Sequence, residues 1–216
     1  MDVETFDRWV REQWYGLLAA FSADRNLIDS VFREVVTSYD HENRAYHTLA
    51  HIKKMLQLAA VYRKNLHDPI LVNLAIYFHD LIYTPGSSEN EEKSAKRARK
   101  VLPALNVPKE KVENVCRYIM ATKDHLAVKS PGNDLKYFLD FDLSILSADH
   151  AEYEQYAANV RKEYYSLPDT VFAAGRAAFL KKLLQVKHIY FTDEFRKKEP
   201  MARENIALEI KNLPIS

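Results

Sequence analysis

Glycine is the scarcest structural punctuation in this chain: four occur in 216 residues, where ordinary usage of about 7% would give roughly fifteen. Tight hairpin turns depend on residues that accept a positive φ, so turn-dense β architectures are disfavoured. Glycine-rich phosphate cradles are missing as well, since neither G-x-x-x-x-G-K-[ST] nor G-x-G-x-x-G occurs. Apolar residues recur instead at helical spacing. Phe6, Trp9, Val10, the stretch 13 to 17 and Ala20 trace one helix face, and Leu27, Ile28, Val31, Phe32 and Val35 trace a second. Further helices are expected over 47–64, 69–83, 88–102, 108–122, 132–147, 149–166, 169–187 and 193–212. The expected fold class is all-α, with residues 1–216 forming a single domain and no Ser/Gly/Pro-rich linker dividing it.

Local signals agree with this reading. Asp68-Pro69 pairs an N-cap acid with proline at the first helical position. Ser88 and Glu91 have capping-box spacing. The segment after them runs from Glu89, Glu91 and Glu92 to Lys96, Arg97, Arg99 and Lys100, the order a helix dipole favours. It therefore reads as a solvated helix rather than a nucleic-acid patch.

Thirty-one Lys+Arg against thirty Asp+Glu leave a formal charge of +1. No whole-molecule field then steers the protein to nucleic acid or an anionic membrane, and an anionic ligand must be gripped locally. The longest apolar stretches fall far short of a membrane span. The opening MDVETFDRWV has no apolar h-region, so no secretory signal is expected. The single Cys116 can build neither an internal disulfide nor a thiolate cage, in keeping with a cytoplasmic protein.

Three places force polar chemistry into apolar surroundings. In LVNLAIYFHDLIY, residues 71–83, His79 and Asp80 interrupt an otherwise apolar helix. A buried carboxylate and imidazole cost several kcal/mol unless compensated, and a bound cation compensates strongly. A hydrogen-bonded ion pair would also serve. His67-Asp68 shows that the dipeptide alone means little, because capping explains that one. In RAYHTLAHIKKML, His47 and His51 stand at i and i+4 on one helix face. That is the spacing of a zinc-protease helix, but Thr48 stands where its general-base Glu is required, so that reading is rejected. An exposed polar face remains the other reading. In YFLDFDLSIL, Asp140 and Asp142 are two apart and diverge by about 200° on a helix. Asp142 shares its face with Phe138, Leu139, Ile145 and Leu146, whereas Asp140 sides with Lys136, Tyr137 and Ser144. Asp142 is accordingly expected to be the buried acid and the better ligand, with Asp140 acting from behind it. A hydrogen-bonded buried acid or a cap is the alternative.

Together these residues spell H…HD…D, which resembles the HD superfamily of helical metal-dependent phosphohydrolases. The motifs R-x-Y-H-x-L-x-H-I at 44–52, F-H-D-x-x-Y at 78–83, N-E-E-x-S-A at 90–95, A-T-x-x-H at 121–125, L-D-x-D-L-x-I-L at 139–146, R-x-E-Y at 161–164 and G-R at 175–176 look like those of one small bacterial family of predicted HD phosphohydrolases. The likeness covers about 40–210. It implies an HD-type helical bundle with the N-terminal helices packed on that core, and His51, His79, Asp80 and Asp142 as ligands of a divalent ion. Imidazole and carboxylate without thiolate suit Mn, Mg, Co, Ni, Zn or Fe.

The implied activity is hydrolysis of phosphate mono- or diesters of a nucleotide or small metabolite by metal-activated water. Asp80 would orient the water. His47 would orient phosphate or support a ligand, and His125 would protonate the leaving oxygen or contact phosphate. Arg44, Arg161 and Arg176 suit bidentate phosphate binding, although each alone also fits a salt bridge. Glu91 would orient water or substrate, although the capping box already accounts for it. Two other functions fit the same scaffold: a di-iron oxygenase, with His47 and His125 as extra ligands, and a non-catalytic metal- or nucleotide-binding regulator. Expected partners are a small phosphorylated substrate, no nucleic acid and no membrane, with homo-oligomerisation left open.

Overall fold

The computed structural model describes residues 8–21, 24–128 and 131–214, with the side chains of Leu126 and Ala127 left aside. Phe6, assigned to the first helix face, lies outside the described residues. Every regular element among the described residues is a helix, as the glycine scarcity and periodicity predict. In chain order they are α1 (Arg8–Leu18), α2 (Arg25–Tyr39), α3 (Leu49–Val61), α4 (Pro69–Phe78), α5 (Asn90–Val101), α6 (Lys109–Ala121), α7 (Asn133–Asp142), α8 (His150–Glu163), α9 (Asp169–Gln185), α10 (Asp193–Arg196) and α11 (Glu199–Asn212). The chain divides into two compact units, Met1–Lys123 and Asp124–Ser216. No helix among the described residues is long and apolar enough to cross a membrane.

The first unit is built around α4. Asp68 caps it by accepting the Leu71 N–H at 3.0 Å, with Pro69 in the first turn. From Leu71 to Phe78 every side chain except Asn73 is buried. Each large apolar side chain so buried is worth about 1.5–3 kcal/mol, which makes α4 the anchor for α3, α5 and α6 packed on it. The N-terminal helices dock on the same element through aromatic residues that also satisfy their polar atoms. Trp14 meets Tyr77 edge-on with centroids 5.0 Å apart and donates its indole N–H to the Ile28 carbonyl at 3.2 Å. The Tyr77 hydroxyl donates to Val10 O at 2.8 Å, and the Tyr39 hydroxyl to Tyr77 O at 3.2 Å.

Two expectations about this unit need correcting. The helix predicted to reach residue 83 ends at Phe78, with His79 as its C-cap. The apolar pattern continues through Leu81 and Ile82, so it carries no stop signal. The chain leaves the helix because α5 takes over its backbone hydrogen bonds. Ser94 Oγ accepts the Ile82 N–H at 3.0 Å and donates to Ile82 O at 3.3 Å, while the Asn90 amide accepts from Thr84 N and donates to Thr84 O, each at 3.0 Å. The Ser88–Glu91 capping box does not form either. Helix α5 starts at Asn90, capped at Glu89 without a side-chain hydrogen bond, and Ser87 Oγ, not Ser88, receives the Glu89 N–H at 3.2 Å.

In the second unit, α11 packs against α8, α9 and the 3-10 turn Leu143–Ser147. Asn205 ties it to that turn, donating to Leu146 O at 3.0 Å and Ala148 O at 2.9 Å. The helix predicted over 193–212 is two, α10 and α11, because Pro200 lies in the first turn of the second. A proline lacks the N–H that a continuous helix would need there.

Candidate metal centre

His51 lies in the first turns of α3, whose N-cap Thr48 accepts the Ala50 N–H at 3.3 Å. Its ring is buried, and Nδ1 meets the Tyr46 hydroxyl at 3.2 Å. His79, at the end of α4, is 1% exposed, and its Nδ1 lies 2.9 Å from the Ile76 carbonyl oxygen. A carbonyl can only accept, so Nδ1 carries a proton. The two histidine rings stand 5.4 Å apart, centroid to centroid.

Asp80 Oδ2 sits 3.1 Å from Nε2 of His79. A ring nitrogen and a carboxylate oxygen this close are held together by a positive charge: either a second ring proton or a cation. Neighbouring residues hold the pair in place. His47 stacks on Tyr83 with centroids 4.3 Å apart and an interplanar angle of 30°, and stands edge-on to His51 at 6.1 Å. Arg44, expected to grip phosphate, donates to three carbonyls: His47 O at 3.0 Å, Asp80 O at 2.7 Å and Leu81 O at 3.0 Å. Glu91 lies in the first turn of α5 and is half-buried.

In the second unit the two acids of the L-D-F-D segment are reversed from expectation. Asp140, assigned to the polar face, has no exposed surface, whereas the Asp142 side chain is 15% exposed. Helix α7 is buried nearly all round, so Tyr137 on the side of Asp140 is withdrawn from solvent just as Phe138 and Leu139 on the side of Asp142 are. The helix also ends at Asp142, and in the 3-10 turn that follows, with about three residues per turn, Ile145 and Leu146 do not extend the face of Asp142.

Asp140 is occupied with structure. Its Oδ1 accepts the Phe191 N–H at 2.8 Å, and its Oδ2 accepts the Thr192 N–H at 2.8 Å and the Thr192 hydroxyl at 2.6 Å. Burial pushes its carboxyl up to about 6, against the downward pull of those three donors. Asp142 Oδ2 lies 2.8 Å from His125 Nε2, an acid held by an imidazole.

The remaining arginines have intramolecular partners. Arg161 binds Asp169 Oδ1 through Nε at 3.0 Å and Nη2 at 2.6 Å, and donates to Tyr164 O at 2.7 Å and Leu167 O at 2.9 Å. Arg176 is buried and pairs bidentately with Glu209 at 2.7 and 3.1 Å. Glu209 also accepts the Tyr153 hydroxyl at 2.5 Å.

Within the first unit His51, His79 and Asp80 offer imidazole and carboxylate donors, which suit a hard or borderline divalent cation. Tyr46, Asn90 and Ser94, which stand inside the sequence motifs without an evident chemical role, orient His51 and secure the chain just after Asp80. Thr192 lay outside every motif, and only the fold links it to Asp140. No family model, curated protein or solved structure matches the chain.

Proposed function

We propose that this protein is a metal-dependent phosphohydrolase, with His51, His79, Asp80 and Asp142 as the protein ligands of a divalent ion. The observation that carries the reading is the buried His79 ring. Its Nδ1 proton is committed to Ile76 O and its Nε2 is turned toward the Asp80 carboxylate. A carbonyl behind a ligating histidine is a common way to fix tautomer and ring orientation at metal sites. His51, whose Nδ1 is held by a tyrosine hydroxyl, would ligate through its other ring nitrogen. The two rings lie 5.4 Å apart within the first unit, and Asp142 is the further ligand that the H…HD…D pattern implies.

A divalent ion, when bound, would lower the pKa of its water and offset charge on a phosphoryl oxygen. The chain's own residues do the rest. Asp80 uses its other carboxylate oxygen to orient the attacking water and accept its proton. His125 holds Asp142 through Nε2 and fixes the direction of that carboxylate. Arg161 and Arg176, neutralised by Asp169 and Glu209, maintain the helices of the second unit. The substrate class is a phosphate mono- or diester of a nucleotide or small metabolite.

The test is phosphate release from a panel of nucleotides, sugar phosphates and model phosphodiesters, with Mn, Co, Mg or chelator present. Turnover that requires metal and is lost in Asp80→Asn, with the variant still folded, supports the reading. Absence of turnover on every ester with every ion, or turnover undiminished by chelator, counts against it.

A further inference from the structure

We infer that Arg44 is a positioning residue of the metal site, fixing the two chain segments that present His51 and His79-Asp80 and thereby setting metal affinity. The inference rests on the metal reading above and deepens it.

Arg44 Nη1 spends its two N–H groups on two carbonyls, His47 O at 3.0 Å and Asp80 O at 2.7 Å, and Nη2 donates to Leu81 O at 3.0 Å. One planar group thus joins the segment leading into α3 to the segment leaving α4. The carbonyls at 80 and 81 follow the C-terminal end of α4, where unsatisfied C=O groups and the negative end of the dipole favour a cation. The guanidinium carbon also lies 4.8 Å from the Tyr39 ring centroid and 5.3 Å from that of Tyr83, the ring on which His47 stacks.

A phosphate-gripping arginine presents parallel N–H groups to its ligand. Here both terminal nitrogens are directed at backbone on either side of the histidine pair. The imidazoles can be only as well placed as the backbone beneath them, and a ligand shifted by a fraction of an ångström loses affinity. Lysine cannot reproduce the fork, because its ammonium is a single point of donation.

The experiment is Mn titration, by isothermal calorimetry, of wild type, Arg44→Lys and Tyr39→Phe, each shown to be folded by circular dichroism. Tyr39→Phe removes the hydroxyl donation to Tyr77 O and so lowers stability while keeping the ring beside the guanidinium. Arg44→Lys should bind Mn about 10 to 100-fold more weakly, with Tyr39→Phe unchanged in affinity. Arg44→Lys binding Mn as tightly as wild type, or Tyr39→Phe weakened equally, overturns the inference while leaving the metal reading intact. A wild type that does not bind Mn overturns both.

Should Arg44→Lys fail to fold, NMR of arginine-labelled wild type titrated with inorganic phosphate decides. Arg44 guanidinium signals that stay fixed support the clamp, and signals that move with phosphate overturn it.

Discussion

Asp142 and His125 meet at 2.8 Å, carboxylate Oδ2 to imidazole Nε2, with both side chains about five-sixths withdrawn from solvent. A ligand carboxylate that is free to rotate loses orientation as well as entropy when an ion binds, and a hydrogen-bonding neighbour removes that cost in advance. His125→Gln should therefore weaken Mn binding by about 10 to 100-fold, with little change in the thermal midpoint of the chelator-treated protein. Calorimetric titration beside a melting curve separates the two effects. An unchanged affinity would assign His125 some other task.

Asp140→Ala should be the more damaging change to folding and Asp142→Ala the more damaging to metal binding. Removing the Asp140 carboxylate leaves the Phe191 N–H, the Thr192 N–H and the Thr192 hydroxyl without their acceptor, at about 1–3 kcal/mol for each donor that finds no substitute. Urea unfolding in the presence of chelator should show a loss of about 2–4 kcal/mol for Asp140→Ala and less than about 1 kcal/mol for Asp142→Ala, whose side chain reaches solvent. Equal losses would mean the hydrogen bonds to 191 and 192 contribute nothing.

Arg176→Ala and Glu209→Ala should each destabilise the protein by about 3–5 kcal/mol, since each leaves the other buried charge uncompensated. The double variant should lose much less than the sum of the two. A direct role for Arg176 on substrate would instead show as a raised half-saturation constant in a variant of normal stability. A thermodynamic cycle on the four proteins distinguishes these outcomes.

Much of this architecture could be read from the residues, and the failures share a cause. The α4 run announced itself because nearly every position in it is apolar, and the Asp68-Pro69 start because capping and proline chemistry are local. What terminates α4 is not local: Ser94 and Asn90 reach back from α5 to residues 82 and 84. The facing of Asp140 and Asp142 is not legible because α7 is buried on the side of Tyr137 as well as that of Phe138 and Leu139, and the donors that hold Asp140 lie 51 and 52 residues further along the chain, at 191 and 192. His51, His79 and Asp80 stood out because each is costly to bury. Tyr46 and Arg44 were visible in the same motif, but their roles depend on where the α4 end carries the Asp80 and Leu81 carbonyls.

The central claim is that the buried histidines hold a divalent ion. Elemental analysis of protein purified without chelator, beside a folded His51→Ala/His79→Ala variant prepared identically, tests it most directly. The account predicts about one equivalent of a divalent transition metal in the wild type and none above background in the variant. Wild-type protein that carries no metal and takes up none on dialysis against Mn, or a variant that retains as much metal as the wild type, would contradict it.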